Sequence, residues 1–206
     1  HDIRTPMNAI VGITSLMEHE GNTSDRLRGY IQKIKFSSRH LLSLINDILD
    51  MSKIESNEVE LNLEKVSLAE QVGQVDSIIR SQTNEHSQVF RIRVHEIAHE
   101  YLIGDGVRLR QIFLNLLSNA VKYTPDGGKI DMLVGTSGKN VFVRVADNGI
   151  GIPEKDLPRL FDRFYRVDKA RSRESGGTGL GLSIAQEILN QHKGRIEISS
   201  EYGKGT

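Results

Sequence analysis

The chain has 206 residues, of which 37% are hydrophobic and 26% charged, a composition typical of ordinary globular domains. Lys plus Arg and Asp plus Glu each number 27, so no overall charge favours binding to nucleic acid or to an anionic membrane. The lack of cysteine excludes disulfides, thiolate nucleophiles and cysteine-based metal sites. We therefore expect a cytoplasmic protein of one large or two modest domains that does not bind nucleic acid.

No apolar run approaches the roughly 20 residues that a membrane-spanning helix needs, and no signal peptide is recognisable. We expect no membrane contact within this fragment. The sequence starts at His1 rather than at a methionine, and it stops at Thr206 soon after a predicted strand and turn. Both ends are therefore expected to lie within a longer protein.

Two amphipathic helices are predicted at the start of the chain. Apolar residues step by three and four from Leu27 to Ile48, and a similar stripe runs from Ile3 to Met17. The short polar segment at 21–24 separates them, which predicts an antiparallel hairpin. Two helices cannot enclose stripes this broad, whereas two hairpins form a four-helix bundle. We therefore predict a homodimer through residues 1–56.

From about Val66 the pattern changes to alternating helix and strand segments, which predicts an α/β sandwich. The predicted helices cover 68–87, 107–122 and 179–192. The predicted strands cover 89–94, 99–103, 129–134, 141–146 and 195–199, and the strand at 141–146 is expected to be largely buried. The polar stretch from Pro153 to Gly177 is too long for an idle loop in a compact domain and predicts a lid.

Three polar side chains share one edge of the helix at 107–122. Asn115 and Asn119 are four residues apart, and Lys122 follows three residues later. Amide oxygens are suitable ligands for Mg²⁺, and the lysine could meet phosphate oxygens. For an isolated Asn pair, a partly exposed helix face with satisfied amides would be the better explanation.

The segment Asp147–Pro153 combines a carboxylate with two glycines just after a predicted strand. The simplest interpretation is an ordinary turn, because Asp-Asn-Gly is common turn chemistry. In a functional interpretation, Asp147 accepts a hydrogen bond from the exocyclic amine of adenine. Gly149 and Gly151 then let the backbone pass close to the ring.

The second glycine cluster, Gly177–Gly181, opens a predicted helix, whose free backbone N–H groups can receive phosphate oxygens. It matches neither a P-loop nor a dinucleotide-binding fingerprint. Phe161 and Phe164 could anchor the lid onto the domain. Between the two clusters lie basic residues that could neutralise a triphosphate, although a solvated loop is the alternative for most of them: Arg159, Arg163, Arg166, Lys169, Arg171 and Arg173.

Together these motifs resemble the transmitter core of bacterial sensor histidine kinases, and the resemblance covers nearly the whole chain. Single motifs of this kind are common by chance, whereas five in the same order are not. The corresponding segments are an H box at His1–Pro6, an N box at Asn115–Tyr123, a first glycine box at Asp147–Gly151, a phenylalanine box at Phe161–Phe164 and a second glycine box at Gly177–Gly181.

The resemblance implies a multidomain fold of α and α+β type, with a helical hairpin that dimerises and an ATP-binding sandwich of the Bergerat type. It implies domain limits of 1–56 and 66–206, a linker at 57–65 and a lid at about 153–178. ATP and Mg²⁺ are the implied ligands, with Asn115 and Asn119 holding the metal. The implied nucleotide-binding residues are Asn115, Asn119, Lys122, Tyr123, Asp147, Gly149, Gly151, Ile152, Phe164, Arg166, Gly177, Thr178, Gly179, Leu180, Gly181 and Leu182.

In such a kinase, His1 Nε2 would attack the γ-phosphorus of ATP, and Asp2 would accept a hydrogen bond from His1 Nδ1–H. The resemblance implies transfer to an Asp of a response-regulator receiver domain. Thr5 matches the family position that orients water for dephosphorylating that partner. The whole protein would be cytoplasmic or the cytoplasmic part of a membrane-anchored sensor, with or without a receiver domain as in hybrid kinases.

Two other functions compete with this one. An ATP-hydrolysing clamp of the gyrase, Hsp90 and MutL type shares the pocket, but it carries a Glu base where Asn115 stands, and an amide cannot take a proton from water. A dimer scaffold that binds ATP without transfer is the non-enzymatic alternative. The remaining histidines have no companion acids or spacing typical of a catalytic or zinc-binding site, so they are assigned to surface or packing roles: His19, His40, His86, His95, His99 and His192.

Overall fold

A computed structural model describes residues 4–19, 24–55, 61–97, 100–167 and 178–206. The chain divides into two compact units. The first unit contains two helices, and the second contains the rest of the described chain from residue 61, apart from Thr178. The predicted linker at 57–65 lies partly outside the described residues, so its limits stay a prediction.

The first unit is a helical hairpin of α1 (Arg4–His19) and α2 (Ser24–Glu55). The two helices pack against each other, and Leu44 of α2 is almost completely buried. Other apolar side chains of both helices stay largely exposed. The predicted hairpin is therefore confirmed, while the four-helix bundle that would cover these side chains stays a prediction.

The second unit contains four helices, one of them 3₁₀, and five strands within the described residues. In chain order they are β1 (Glu64–Ser67), α3 (Leu68–Glu85), β2 (Val89–His95), β3 (Tyr101–Gly104), α4 (Gly106–Tyr123), β4 (Lys129–Ser137), β5 (Asn140–Asp147), a 3₁₀ helix (Glu154–Arg159) and α5 (Gly181–Gln191). The start of α4 follows from capping chemistry, because Asp105 Oδ1 accepts hydrogen bonds from Val107 N and Arg108 N, both at 3.1 Å.

The main sheet has the order β2-β4-β5 and is covered by helices. Strand β2 pairs parallel to β4, and β4 pairs antiparallel to β5. Helix α4 packs on both α3 and α5, and α3 also contacts β2. The core between these layers consists of side chains with almost no exposed surface: Val75, Ile79, Leu117, Ile130, Met132, Val134, Ile184 and Ile188. This is the predicted α/β sandwich.

The structure corrects the predicted strands in three places. The strand predicted at 195–199 is not formed, because no described segment pairs with these residues. Strand β1 was not predicted; it pairs antiparallel with β3 in a separate small sheet. The strand at 141–146 is half-buried rather than largely buried, because β5 lies at the edge of its sheet.

Candidate nucleotide-binding site

The polar edge of α4 is present as predicted, next to the start of α5. Phe113 and Leu117 are buried on the opposite side of the helix. The Asn115 side-chain amide donates a hydrogen bond from Nδ2 to the Gly181 carbonyl at 2.9 Å. This bond leaves the amide oxygen of Asn115 available as an acceptor.

Two further residues of this edge are half-buried. Asn119 follows Asn115 by one helical turn, and Lys122 lies in the last turn of α4. The Lys122 ammonium lies 5.1 Å from the centre of the Tyr123 ring. The edge thus presents amide oxygens and one cation along the same side of the helix.

The C-terminal end of α4 is held by Gln88, a buried residue whose role was not predicted from the sequence. Its Nε2 donates to the carbonyls of Val121 at 2.9 Å and Thr124 at 2.7 Å. These carbonyls would otherwise lack partners at the helix end. Gln88 therefore fixes the part of α4 that carries Lys122 and Tyr123.

The first glycine loop packs directly on this end of α4. Ile150 N donates to the Tyr123 carbonyl at 3.1 Å, and a Cβ at Gly149 would collide with that carbonyl oxygen. Only glycine allows this approach. The predicted N box and the predicted first glycine box are thus in direct contact.

Asp147 ends β5 at the start of this loop. Its Oδ1 accepts a hydrogen bond from Gly149 N at 2.8 Å. Burial raises the pKa of the Asp147 carboxyl above its ordinary value, while hydrogen bonds from the backbone of Gly149 and Thr206 act in the opposite direction. Because a carboxylate has about four acceptor positions, the group retains capacity for a ligand amine.

A turn near the end of the described chain supports the first glycine loop from behind. Ser200 Oγ accepts from Ile152 N and donates to the Gly205 carbonyl, both at 2.8 Å. Asp147 N donates to the Thr206 carbonyl at 2.9 Å. This support was not predicted from the sequence, although the neighbouring glycines Gly203 and Gly205 form a third glycine cluster that signals a turn here.

The second glycine cluster opens α5 as predicted. Gly179 adopts a left-handed backbone with φ of +75°, Leu180 is fully buried, and the helix begins at Gly181. Its first backbone hydrogen bond runs from Ile184 N to the Leu180 carbonyl at 2.9 Å. The N–H groups of Gly181, Leu182 and Ser183, in the first turn of the helix, therefore lack helical partners and are suited to bind an anion.

The remaining predicted site residues are distributed as follows. Leu182, Ile152, Arg166 and Thr178 are half-buried, and Thr178 directly precedes Gly179. Thr5 lies in α1, in the other unit of the chain. His1, Asp2 and Gly177 lie outside the described residues, as do Lys169, Arg171 and Arg173 from the predicted lid.

The predicted anchoring role of Phe164 is wrong. Its side chain is 54% exposed, and it is the backbone of Phe164 that contacts the domain, with its N–H donating to the Gly179 carbonyl at 3.0 Å. Phe161 is half-buried. Arg159 pairs with Asp162 at 3.2 Å, so its guanidinium is already engaged by a carboxylate.

Two histidines have partners that the sequence did not reveal. His86 Nδ1 lies 3.1 Å from Asp126 Oδ1, and both side chains are exposed, so this contact agrees with the surface role that was predicted for His86. His192 bridges α5 and the start of α4 and so has the packing role that was predicted. His95 is exposed, and His99 lies outside the described residues.

Comparison with known proteins agrees with this architecture. Residues 104–206 match the family model for histidine kinase-, DNA gyrase B- and HSP90-like ATPases, and residues 1–57 match the His Kinase A phospho-acceptor domain. The fold and the site therefore define an ATP-binding α/β sandwich joined to a phospho-acceptor helical hairpin.

Curated relatives narrow this class further. The chain is 36% identical to the circadian input-output histidine kinase CikA of Synechococcus elongatus and 34% identical to the sensor histidine kinase WalK of Bacillus subtilis, in each case over its full length. It covers 28% and 34% of those two proteins, respectively. The chain belongs to the sensor histidine kinases and corresponds to their transmitter core.

Solved structures show the same fold. Full-length ShkA in complex with AMPPNP matches with a TM-score of 0.75 and 29% identity, over the whole chain and 42% of ShkA. Histidine kinase ThkA in complex with the response regulator TrrA matches with a TM-score of 0.73 and 25% identity, over 94% of this chain and 53% of that one.

Among the described residues, no helix is long and apolar enough to cross a membrane.

Proposed function

We propose that this chain transfers the γ-phosphoryl group of ATP to His1 and then to an Asp of a response-regulator receiver domain. The observation that carries the proposal is the convergence of three separate motifs in the second unit. Asn115 contacts Gly181, and Tyr123 contacts the Gly149–Ile150 backbone. The proposal agrees with the relatives that are named as histidine kinases. The chain spans between about a quarter and less than half of the length of its curated relatives.

The residues at this convergence fit ATP. Asp147 offers a carboxylate to the adenine amine, and the loop beside it has no room for a Cβ at Gly149 or Gly151. The free N–H groups at the start of α5 suit the phosphates, together with Lys122 and Arg166. A half-buried carboxylate at one end and donors at the other match the polarity of an adenine nucleotide.

The same edge also fits Mg²⁺. The amide oxygens of Asn119 and Asn115 would hold the ion together with phosphate oxygens and water. The described residues contain no cluster of three His, Cys, Asp or Glu side chains that could bind a metal without the nucleotide. When bound, Mg²⁺ neutralises charge on the phosphates.

The transfer itself is assigned to His1. Its Nε2 forms a bond to the γ-phosphorus while the bond to the β,γ-bridging oxygen breaks, and ADP leaves. Asp2 accepts a hydrogen bond from Nδ1–H and stabilises the positive charge that develops on the ring. Thr5 orients water when the chain acts as a phosphatase on its phosphorylated partner.

The proposal includes three partners or settings that follow from the family. The chain forms a homodimer through residues 1–56, it binds a receiver domain, and it works in the cytoplasm, alone or below a membrane anchor. The ThkA structure, a complex with response regulator TrrA, supports the second of these. The domain limits are taken as 1–56 and 66–206, with the linker at 57–65 between them.

Incubation of the purified protein with γ-labelled ATP tests the proposal. We expect an acid-labile label on the protein that is lost in His1→Ala and retained in His86→Ala, a control at an exposed histidine of the second unit. Free phosphate without protein label would instead indicate a clamp-type ATPase. Binding of ATP without either product would indicate a scaffold.

The same assay tests the metal site when Mg²⁺ is titrated. Asn119→Asp adds a negative charge beside the phosphates, so we expect it to shift the Mg²⁺ concentration needed for half-maximal labelling. An unchanged Mg²⁺ dependence would remove Asn119 from the metal site. Ser118→Asp is the matched control, because Ser118 is the exposed neighbour of Asn119 on α4.

A further inference from the structure

The backbone at Phe164 is strained next to the second glycine cluster. Phe164 has a φ of +61°, a left-handed conformation that bulky residues rarely adopt. Three other non-glycine residues in the described part of the chain have a positive φ, namely Ser87, Glu96 and Lys193. Phe164 differs from them because its backbone contacts the loop that opens α5. Strain at such a position persists only when the surroundings impose it.

One side of this strained residue is fixed by Gly179. The Phe164 N–H donates to the Gly179 carbonyl at 3.0 Å. A Cβ at Gly179 would lie 2.9 Å from the Phe164 carbonyl carbon, closer than real Cβ atoms come. The two left-handed residues are therefore packed backbone to backbone, and a shift of one moves the other.

The other side is fixed by the next residue, Tyr165. Its hydroxyl donates to Asp156 Oδ1 at 2.6 Å, and Asp156 is only 8% exposed. This hydrogen bond raises the pKa of the Tyr165 hydroxyl. Arg159 stacks 4.2 Å from the centre of the tyrosine ring and also pairs with Asp162. The hydroxyl and the ring of Tyr165 are thus both held by residues of the 3₁₀ helix, Asp156 and Arg159.

Simple packing does not explain this arrangement. Leu160, in the same segment, already buries an apolar side chain. A phenylalanine at position 165 would also keep an aromatic ring next to Arg159, so packing alone does not require a tyrosine. A hydroxyl that reaches a buried carboxylate instead fixes the direction of the side chain and the backbone attached to it. The hydrogen bond between Tyr165 and Asp156 therefore restricts the backbone of the preceding residue, Phe164, which contacts Gly179.

We propose that Tyr165 is a positioning residue for the phosphate end of the nucleotide site. Its hydrogen bond to Asp156 holds Phe164 in the left-handed conformation, and Phe164 holds Gly179. Gly179 in turn sets the position of the free N–H groups at the start of α5. The inference rests on the proposed function, because it assigns those N–H groups to the phosphates of ATP.

Four single variants and the double variant Tyr165→Phe/Asp156→Ala test the inference by competition of ATP and adenosine against a fluorescent ATP analogue. Tyr165→Phe removes only the hydroxyl, and Asp156→Ala removes the acceptor. Asp156→Asn keeps an acceptor oxygen and serves as the conservative rescue. Tyr101→Phe is the matched control, because it removes a phenol oxygen from β3 while keeping the ring near Lys65.

We expect Tyr165→Phe and Asp156→Ala each to weaken ATP binding about tenfold and to leave adenosine binding unchanged. A tenfold change corresponds to the loss of one hydrogen bond to a charged group. The double variant should be no weaker than either single variant, because both remove the same bond. Asp156→Asn and Tyr101→Phe should stay within about twofold of the unmodified protein, which is close to no change in binding energy. The thermal unfolding midpoint of each variant shows that it is folded.

Equal losses for ATP and adenosine, or ATP affinities that do not change, would overturn the inference. Additive losses in the double variant would also overturn it, because the two residues would then act separately. If the unmodified protein binds no ATP, the proposed function fails. If it binds ATP and becomes labelled while the variants bind equally well, only the role of Tyr165 fails.

Discussion

Asp147 is a half-buried acidic residue whose charged form lowers the stability of the fold. Burial favours its protonated form and raises its pKa. The folded chain therefore holds this proton more tightly than the unfolded chain does. As a result, the free energy of unfolding contributed by Asp147 decreases as the pH rises from the ordinary value of 3.8 through the raised one. Above that range the buried charge lowers the free energy of unfolding, and the ligand amine that we propose to bind Asp147 would offset this cost.

Asp147→Asn should therefore separate stability from binding. Without nucleotide at pH 7, we expect the variant to unfold at the same or a higher temperature than the unmodified protein, and the difference should vanish toward pH 3. ATP binding should weaken about tenfold to a hundredfold, because the amide lacks the charge of the carboxylate. Thermal unfolding across pH and a nucleotide titration measure the two effects.

Either half of this prediction can fail alone. At each pH the unfolding temperature of the variant is compared with that of the unmodified protein. If this difference is less favourable to the variant at pH 7 than at pH 3, burial of the Asp147 charge does not lower stability. Unchanged ATP affinity would remove Asp147 from the adenine pocket. Asp131→Asn provides the control, since Asp131 lies in β4 and pairs with Arg93 on the sheet.

At the residue scale, the sequence predicted what local motifs encode and missed what distant contacts create. Asp147, Gly149 and Gly151 lie within five residues, so their place in one tight loop could be predicted from spacing alone. The bonds from Gln88 to Val121 and Thr124 span 33 and 36 residues, and nothing in the local sequence marks them. Such contacts become visible only when the fold brings α4 next to the start of β2.

At the scale of elements, His192 joins α5 to α4. Its Nδ1–H donates to the Ile188 carbonyl at 2.8 Å, so Nε2 carries the lone pair that accepts from Asp105 N at 3.0 Å. One neutral tautomer therefore ends α5 and supports the N-cap residue of α4. The two bonded partners, Asp105 and His192, are 87 residues apart.

His192→Ala should lower the free energy of unfolding by about 1–3 kcal/mol, because the partly buried Asp105 N–H loses its acceptor. Denaturant unfolding followed by circular dichroism measures the change. His95→Ala, at an exposed position, should stay within about 0.5 kcal/mol of the unmodified protein. Equal unfolding midpoints for both variants would show that the His192 bridge adds nothing to stability.

The elements themselves were predictable where periodicity is strong. The long stripes of α2 and α4 gave the right helices, and the observed limits of α4 differ from the predicted ones by one residue at each end. Strands depend on their partners, which the local pattern does not specify. The pattern at 195–199 therefore suggested a strand that does not form, and the four residues of β1 were missed because their pairing with β3 lies across α3.

At the scale of the whole molecule, the helical hairpin leaves an apolar stripe uncovered. Leu42, Ile45 and Leu49 of α2 are 60%, 40% and 53% exposed and follow the spacing of one helix face. The apolar residues Met7 and Val11 of α1 are also exposed. A second copy of the hairpin would bury such a stripe in a four-helix bundle, which is the homodimer proposed for residues 1–56.

The double variant Leu42→Glu/Leu49→Glu should break this dimer. Burying an unpaired carboxylate costs about 3–5 kcal/mol, so the dimer dissociation constant should rise at least about a hundredfold. Sedimentation equilibrium measures the change. Ile78→Glu is the matched control, because Ile78 is a similarly exposed apolar residue on α3 of the other unit, and it should leave the dimer intact. An unmodified protein that stays monomeric at micromolar concentration, or a double variant that dimerises normally, would place the subunit contact elsewhere.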